Sequence, residues 1–168
     1  MNPDSGRCKD KDFGMDIRIT QAVATDATAI SKLISPLAAK YIVHEFPLPA
    51  RQKLLDSMNP DGIEKLMRSG CVYHLAYKHD KLVGIVGIKQ CSHLYHMFVD
   101  ELYQCQGIAR MLWKTAMQQC LDAGAGGEFS VNASRYALPV YERLGFVSSA
   151  NAQERNGIVT FPMVFKPR

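Results

Sequence analysis

Apolar and polar positions along this chain follow two periods, and the switches between them mark out the elements. Ile17 to Ala22 reads as a short strand. Thr25 or Asp26 then caps a helix whose apolar positions Ala29, Ile30, Leu33 and Ile34 recur at helical spacing. The pattern breaks from Pro36 to Pro49, because Phe46-Pro47-Leu48-Pro49 cannot continue a helix. Helical segments follow over Ala50–Ser57 and Pro60–Arg68, the second with proline favourably placed at its start. Cys71–Tyr77 and Leu82–Lys89 are strands joined by the polar turn Lys78-His79-Asp80-Lys81. Gly84 and Gly87 interrupt the second, which predicts a bulge or a close approach by another backbone. His93–Val99 is a third strand, and an amphipathic helix after it ends near Asp122, before the stop signal Gly124-Ala125-Gly126-Gly127. Glu128–Asn132 reads as a strand and Leu138–Leu144 as a helix. Phe146–Ala150 and Ile158–Phe165 form a last strand pair across a polar turn. The order is β-α-α-β-β-β-α-β-α-β-β, whose central strand-helix-strand alternation predicts a mixed α/β layer fold.

Residues 1–14 are polar and lack a hydrophobic period, so a disordered leader is expected before a single domain over 15–168; Met15 is itself a candidate initiator. The 168 residues suffice for one sizeable core and are too few for two comfortable domains. A net charge of +4 is carried by scattered basic residues with no Lys/Arg block, which argues against nucleic acid and suits a polyanionic small ligand. No apolar run is long enough to cross a membrane, and no signal-peptide core is present. Five cysteines (Cys8, Cys71, Cys91, Cys105, Cys120) form an odd set without CxxC spacing, which predicts a reducing, cytoplasmic setting over a disulfide framework. The histidines show no metal-ligand spacing with them, and no metal is expected.

The candidate chemistry starts at Gln104-Cys105-Gln106-Gly107-Ile108-Ala109-Arg110, a small-residue loop between the apolar strand and the helix beginning Met111-Leu112-Trp113. A helix start carries backbone N–H groups without intrahelical partners and partial positive charge, which together make an anion site. Bulky side chains in place of Gly107 and Ala109 would hold a diphosphate away from those donors. Cys105 within the loop is either a redox-sensitive thiol or a bystander. A second segment runs Val131-Asn132-Ala133-Ser134-Arg135-Tyr136-Ala137-Leu138-Pro139-Val140-Tyr141-Glu142-Arg143-Leu144-Gly145-Phe146.

With these two segments the chain resembles the GNAT superfamily of acyl-CoA-dependent N-acetyltransferases. The superfamily's acyl-CoA loop reads Arg/Gln-x-x-Gly-x-Gly/Ala, which Gln104 to Ala109 fits; its later signature, an Asn after a strand and a Tyr-bearing helix closing on Leu-Gly-Phe, is met by Asn132, Tyr141 and Leu144-Gly145-Phe146. The resemblance spans roughly residues 16 to 165 and is strongest between 82 and 147. It implies a mixed, mostly antiparallel sheet of six or seven strands with helices on both faces. It also implies acetyl transfer from acetyl-CoA to a primary amine in a ternary complex, without a metal. Met97, Phe98 and Val99 would contact the pantetheine arm and offer an N–H to the oxyanion, and Gln106 to Arg110 would hold the pyrophosphate. Gln104 stands where many members have Arg, which removes one charge-assisted phosphate contact.

By the same resemblance Tyr141 is the general acid, a phenol of ordinary pKa about 10 that stays protonated at neutral pH. Asn132 would contact the pantetheine amide or else turn the chain. Counting eleven positions back from Gln104 reaches His93, where members often place the base. Strand alternation would put His93 on a face with Tyr95, Met97 and Val99, and His96 on the other with Leu94 and Phe98. His96 is expected to be a core or cross-strand residue, while Glu45, His44, Asp100 and bulk water remain alternatives for the base. The acceptor would sit between Tyr41–Arg68 and Ser148–Phe161, lined by Tyr41, His44, Glu45, Phe46 and Arg51. Glu45 and Asp61 either attract a cationic amine or are solvated surface charges. A small-molecule amine is the expected acceptor; a protein acceptor, a non-catalytic acyl-CoA-binding module and a homodimer all stay open.

Overall fold

Pairing between neighbouring apolar stretches builds the first half of the sheet. The computed structural model describes residues 16–168, and the leader expected over 1–14 lies outside the described residues. Strand β1 (Ile17–Gln21) pairs antiparallel with β2 (Cys71–Lys78), β2 with β3 (Lys81–Lys89) and β3 with β4 (His93–Val99). Helices α1 (Ala27–Tyr41), α2 (Leu48–Ser57) and α3 (Pro60–Arg68) lie between β1 and β2 in the chain. Helix α4 (Ile108–Asp122) then leads to β5 (Phe129–Ala133), the only described strand parallel to its neighbour. Helix α5 (Leu138–Leu144) and strands β6 (Val147–Ser148), β7 (Gln153–Arg155) and β8 (Ile158–Phe165) complete the chain. The sheet order is β1-β2-β3-β4-β5-β8-β6, with β7 paired to β8.

The mixed, mostly antiparallel sheet is as expected, but among the described residues it has eight strands and not six or seven. The reason is β8. It pairs with β5 over Phe161–Phe165, with β6 at Met163–Val164 and with β7 over Ile158–Thr160. The expected strand Phe146–Ala150 is reduced to two residues, and the intervening turn supplies a strand made of polar residues, which backbone pairing tolerates. The helix break expected at Pro36 is also absent, since α1 runs through it to Tyr41. Proline forfeits its own N–H bond there, while Ile34 and Ala38 on either side are fully buried. Packing overrides propensity at that position.

Two cores flank the sheet. On one face Trp113 of α4 packs against Phe129, Phe146 and Phe165 at ring-centroid distances of 5.2, 5.0 and 5.3 Å. On the other, Ile30, Ile34 and Ile63 from α1 and α3 meet Tyr73, Leu75 and Ile85. The glycines of β3 sit at register shifts, the expected bulges, and the atom nearest a Cβ on each belongs to a side chain and not to another backbone. A Cβ on Gly84 would lie 3.0 Å from Leu112 Cδ1, and one on Gly87 would lie 2.7 Å from the Tyr73 ring.

A bulge in β4 corrects the expected facing of its side chains. Ile88 partners Leu94 and Gly87 partners His96, so Tyr95 is the extra residue. One inserted residue inverts the alternation. Leu94, Met97 and Val99 therefore belong to the α4 core, whereas Phe98 joins the α1 core and His96 meets Tyr73 there. His93, bonded to Ser130 on the side away from buried Phe129 and Val131, points to the α1 face and not with Met97 and Val99.

His96 is buried, as expected, with Nδ1 2.9 Å from the Tyr73 hydroxyl. Burial lowers its pKa from 6.5 to about 4. The folded protein thus keeps the ring neutral while the unfolded chain binds a proton below pH 6.5, so stability present above pH 6.5 is lost as pH falls toward 4. The expected loss is about 3 kcal/mol, read by denaturant titration at successive pH values. His96→Gln should lose much less over the same window; an equal loss in the variant would mean other groups carry it.

Candidate active site

The parallel ladder between β4 and β5 holds only at His93–Ser130 and Leu94–Val131. Beyond it the two strands have no pairing, which leaves a fork between the end of β4 and Asn132–Ala133. The Asp100 N–H donates to Val83 O at 2.8 Å, at the β3 edge. Strand alternation then turns the N–H and C=O of Met97 and Val99 away from β3, into the fork. The Val99 carbonyl accepts the Gln104 amide at 3.0 Å, so Gln104 closes the end of β4.

The loop between β4 and α4 places Cys105, at φ 59°, and Gly107 in the left-handed region. Gly107 is the N-cap of α4 with φ 81°, in the left-handed region, and a Cβ there would meet nothing within 4 Å. Among the described residues, the N–H groups of Gln106, Gly107, Ile108, Ala109 and Arg110 donate to no acceptor. Five neighbouring donors at the positive end of a 15-residue helix form an anion cradle. Cys105 is disulfide-bonded, which the odd cysteine set without CxxC spacing gave no reason to expect; Cys71, Cys91 and Cys120 are free.

A cavity of about 290 Å³ extends from this loop into the fork. Met97, Phe98, Val99, Gln104, Cys105, Gly107, Ile108, Ala109 and Arg110 line it, as does Tyr141; Tyr41 reaches it from the end of α1. Among the described residues the lining holds two arginines, Arg110 and Arg143, and no carboxylate. Arg110 Nη2 lies 3.5 Å from the Arg143 carbonyl, which links α4 to α5. The side chain of Gln106 turns aside to the Leu102 carbonyl at 3.2 Å, leaving its backbone N–H as its contribution.

Tyr141 is buried on α5 with its ring 5.6 Å from that of Phe146 in an edge arrangement. Its hydroxyl has no hydrogen bond among the described residues. Burial pushes the phenol's pKa well above its usual value. A protonated donor therefore lines the cavity with no hydrogen-bond partner among the described residues.

Other expected site residues lie elsewhere. His93 and Asn132 are outside the cavity lining, on the α1 face at the base of the fork. His93 Nδ1 is 2.8 Å from Ser130 Oγ, and burial together with the nearby Lys89 ammonium lowers its pKa. Phe46 is outside the lining, its carbonyl accepting Arg51 Nε at 2.9 Å. Glu45 is engaged: its carboxylate accepts the N–H groups of Arg135 and Tyr136, each at 3.0 Å. Its role as a free attractor of cations does not match that geometry.

Arg143, Tyr136, Val140 and Leu144 line the cavity without having been singled out from sequence. Their signal was available, because positions 136, 140, 143 and 144 share one helical face across the α5 entrance. Tyr136 stacks on Tyr41 with centroids 4.8 Å apart and planes 15° from parallel.

The family model described as an acetyltransferase (GNAT) domain matches residues 37–167. The chain belongs to the GNAT acetyltransferase family. Three solved structures that share this fold are distant in sequence. The PaiA N-acetyltransferase of Thermoplasma acidophilum, solved with coenzyme A, superposes with TM-score 0.75 at 15% identity, covering 91% of this chain and 100% of that one. A GCN5-related N-acetyltransferase from Rhodopseudomonas palustris gives 0.74 at 16%, covering 89% and 95%. A GNAT-family acetyltransferase from Staphylococcus aureus Mu50 gives 0.69 at 17%, covering 89% and 98%. No curated protein matches the sequence. As a GNAT acetyltransferase the chain is an acyltransferase. Among the described residues no helix is long and apolar enough to cross a membrane, and no cluster of three or more His, Cys, Asp or Glu is placed to hold a metal.

Proposed function

We propose that this acetyltransferase moves an acetyl group from acetyl-CoA to the primary amine of a small molecule by direct attack. The observation that carries this reading is the continuity of one cavity from the anion cradle at Gly107 to the unsatisfied hydroxyl of Tyr141. The coenzyme A bound in the PaiA structure supports the ligand class. The residues present fit that ligand: five free N–H groups and two arginines suit its phosphates, and the open edge of β4 suits an amide-bearing arm.

The acetyl donor supplies a thioester, and this chain's residues handle its charges and protons. A fork-facing N–H of Met97 or Val99 stabilises negative charge developing on the carbonyl oxygen. The amine nitrogen forms its bond to the acetyl carbon and gives up a proton. The carbon–sulfur bond then breaks, and Tyr141 donates a proton to the departing sulfur. His93 takes the amine's proton through water; its lowered pKa keeps the imidazole neutral and able to accept.

The test is thiol release from acetyl-CoA across a panel of small primary amines. Release that depends on at least one amine is expected; modification confined to lysines or N-termini of proteins would favour a protein acceptor. His93→Ala should reduce turnover about tenfold or more near pH 7, where most amine is protonated, and the deficit should fade toward pH 10. A ratio to wild type that stays flat across that range removes His93 as the base.

A further inference from the structure

The two halves of this sheet are stitched at the base of the fork by only two residue pairs, His93–Ser130 and Leu94–Val131. The groups proposed to act on one thioester lie on opposite sides of that fork. Met97 and Val99 belong to β4, and Tyr141 belongs to α5, which follows β5. Something at the open end must set their separation.

Glu45 sits there, at the end of the short 3₁₀ turn Val43–Glu45 that follows α1. Its two carboxylate oxygens accept from two successive backbone N–H groups, Arg135 and Tyr136, 90 residues away in the turn that enters α5. The remaining donors of that turn are met locally, with Ala137 N–H bonded to Ser134 and Leu138 N–H to the Ser134 carbonyl. One helical turn before Glu45, Tyr41 stacks flat on Tyr136. Lys40 fixes the other side of that helix end through a 2.8 Å ion pair with Glu101, just beyond β4. The β4 side is thereby tied to the end of α1, and the end of α1 to the start of α5.

We infer that Glu45 is a positioning residue, whose carboxylate clasps the entrance of α5 and holds Tyr141 at working distance from the open edge of β4. The inference rests on the acetyl-transfer reading above. It gives Glu45 a task distinct from attracting substrate, and it explains why a carboxylate suits the position. A carboxylate offers a separate charged oxygen to each of the two N–H groups.

A misplacement of about 1 Å in a reacting group can cost 10²-fold in rate, so the clasp should be visible in turnover while the anion cradle is untouched. Glu45→Ala should lower kcat about tenfold and change KM for acetyl-CoA by less than about twofold. Glu45→Gln, which retains one acceptor oxygen, should fall between it and wild type, and it serves if the alanine variant does not fold. Amide hydrogen exchange at Arg135 and Tyr136 should speed up in both variants. The decisive reading is the double variant with Tyr141→Phe. If Glu45 acts through Tyr141, the double variant should be no slower than Tyr141→Phe alone. Losses that multiply, or a Glu45→Gln variant with wild-type kcat and unchanged exchange, overturn the clasp while wild-type turnover keeps the acetyl-transfer reading standing. Wild-type protein that turns over no amine overturns both.

Discussion

Tyr141→Phe should lower turnover about 100-fold and leave acetyl-CoA affinity within about twofold of wild type. The magnitude follows from general acid catalysis, which contributes about 10²–10⁴-fold where the leaving group needs its proton. This phenol is suited to that task because burial keeps it protonated and its hydroxyl has no hydrogen bond among the described residues. The substitution removes one oxygen and leaves the ring against Phe146, so the fold should be undisturbed. Steady-state kinetics with an active amine, together with calorimetric titration of acetyl-CoA, separates the two quantities. Unchanged kcat would return Tyr141 to the core as a packing residue.

Gly107→Val should weaken acetyl-CoA binding by about 30-fold or more, read by the same titration. Two costs add. A β-branched residue at φ 81° is a backbone outlier, so the loop must rearrange and its N–H groups diverge. The new side chain also projects into the open space beside the donors, where a phosphate would approach. Gly107→Ala carries the strain with little bulk and should lie between the two. Both variants should lose about 1–2 kcal/mol of stability to the left-handed backbone, a melting shift of a few degrees, and no more, because the position lies in no core contact. Wild-type affinity in Gly107→Val would mean that the cradle is only a strand-to-helix turn.

Much of the site was legible before any coordinates, because its parts are local. The strand β4, the loop and α4 are contiguous, and the period switch at Gly107 places the donors without reference to the rest of the chain. Tyr141 was legible through its motif. The residues that escaped are those whose role depends on what crosses them. Arg143 and Tyr136 become cavity walls only when α5 is laid beside the fork, and Tyr136 needs Tyr41, 95 residues earlier, to stack upon. The facing of His93 and His96 was misjudged because alternation presumes an unbroken strand. Sequence gives no clear mark of the extra residue at Tyr95, since bulges arise from pairing between strands.

Glu45 shows the same division most plainly. Composition and position alone suggested a surface carboxylate able to draw in a cationic amine, whereas folding brings it to two backbone donors on a distant turn. The sequence by itself determined most of the element order, the small-residue loop at the start of α4, the candidate tyrosine on α5 and the membership of a known family. All of these rest on residues close together in the chain or on motifs whose spacing is short. Tertiary structure alone decided the eight-strand pairing through β8, the continuation of α1 through Pro36, the inverted face of β4 and the clasp across the fork. Each of those depends on a free energy of packing or hydrogen bonding between segments far apart in the chain. Local propensity carries no record of such contacts.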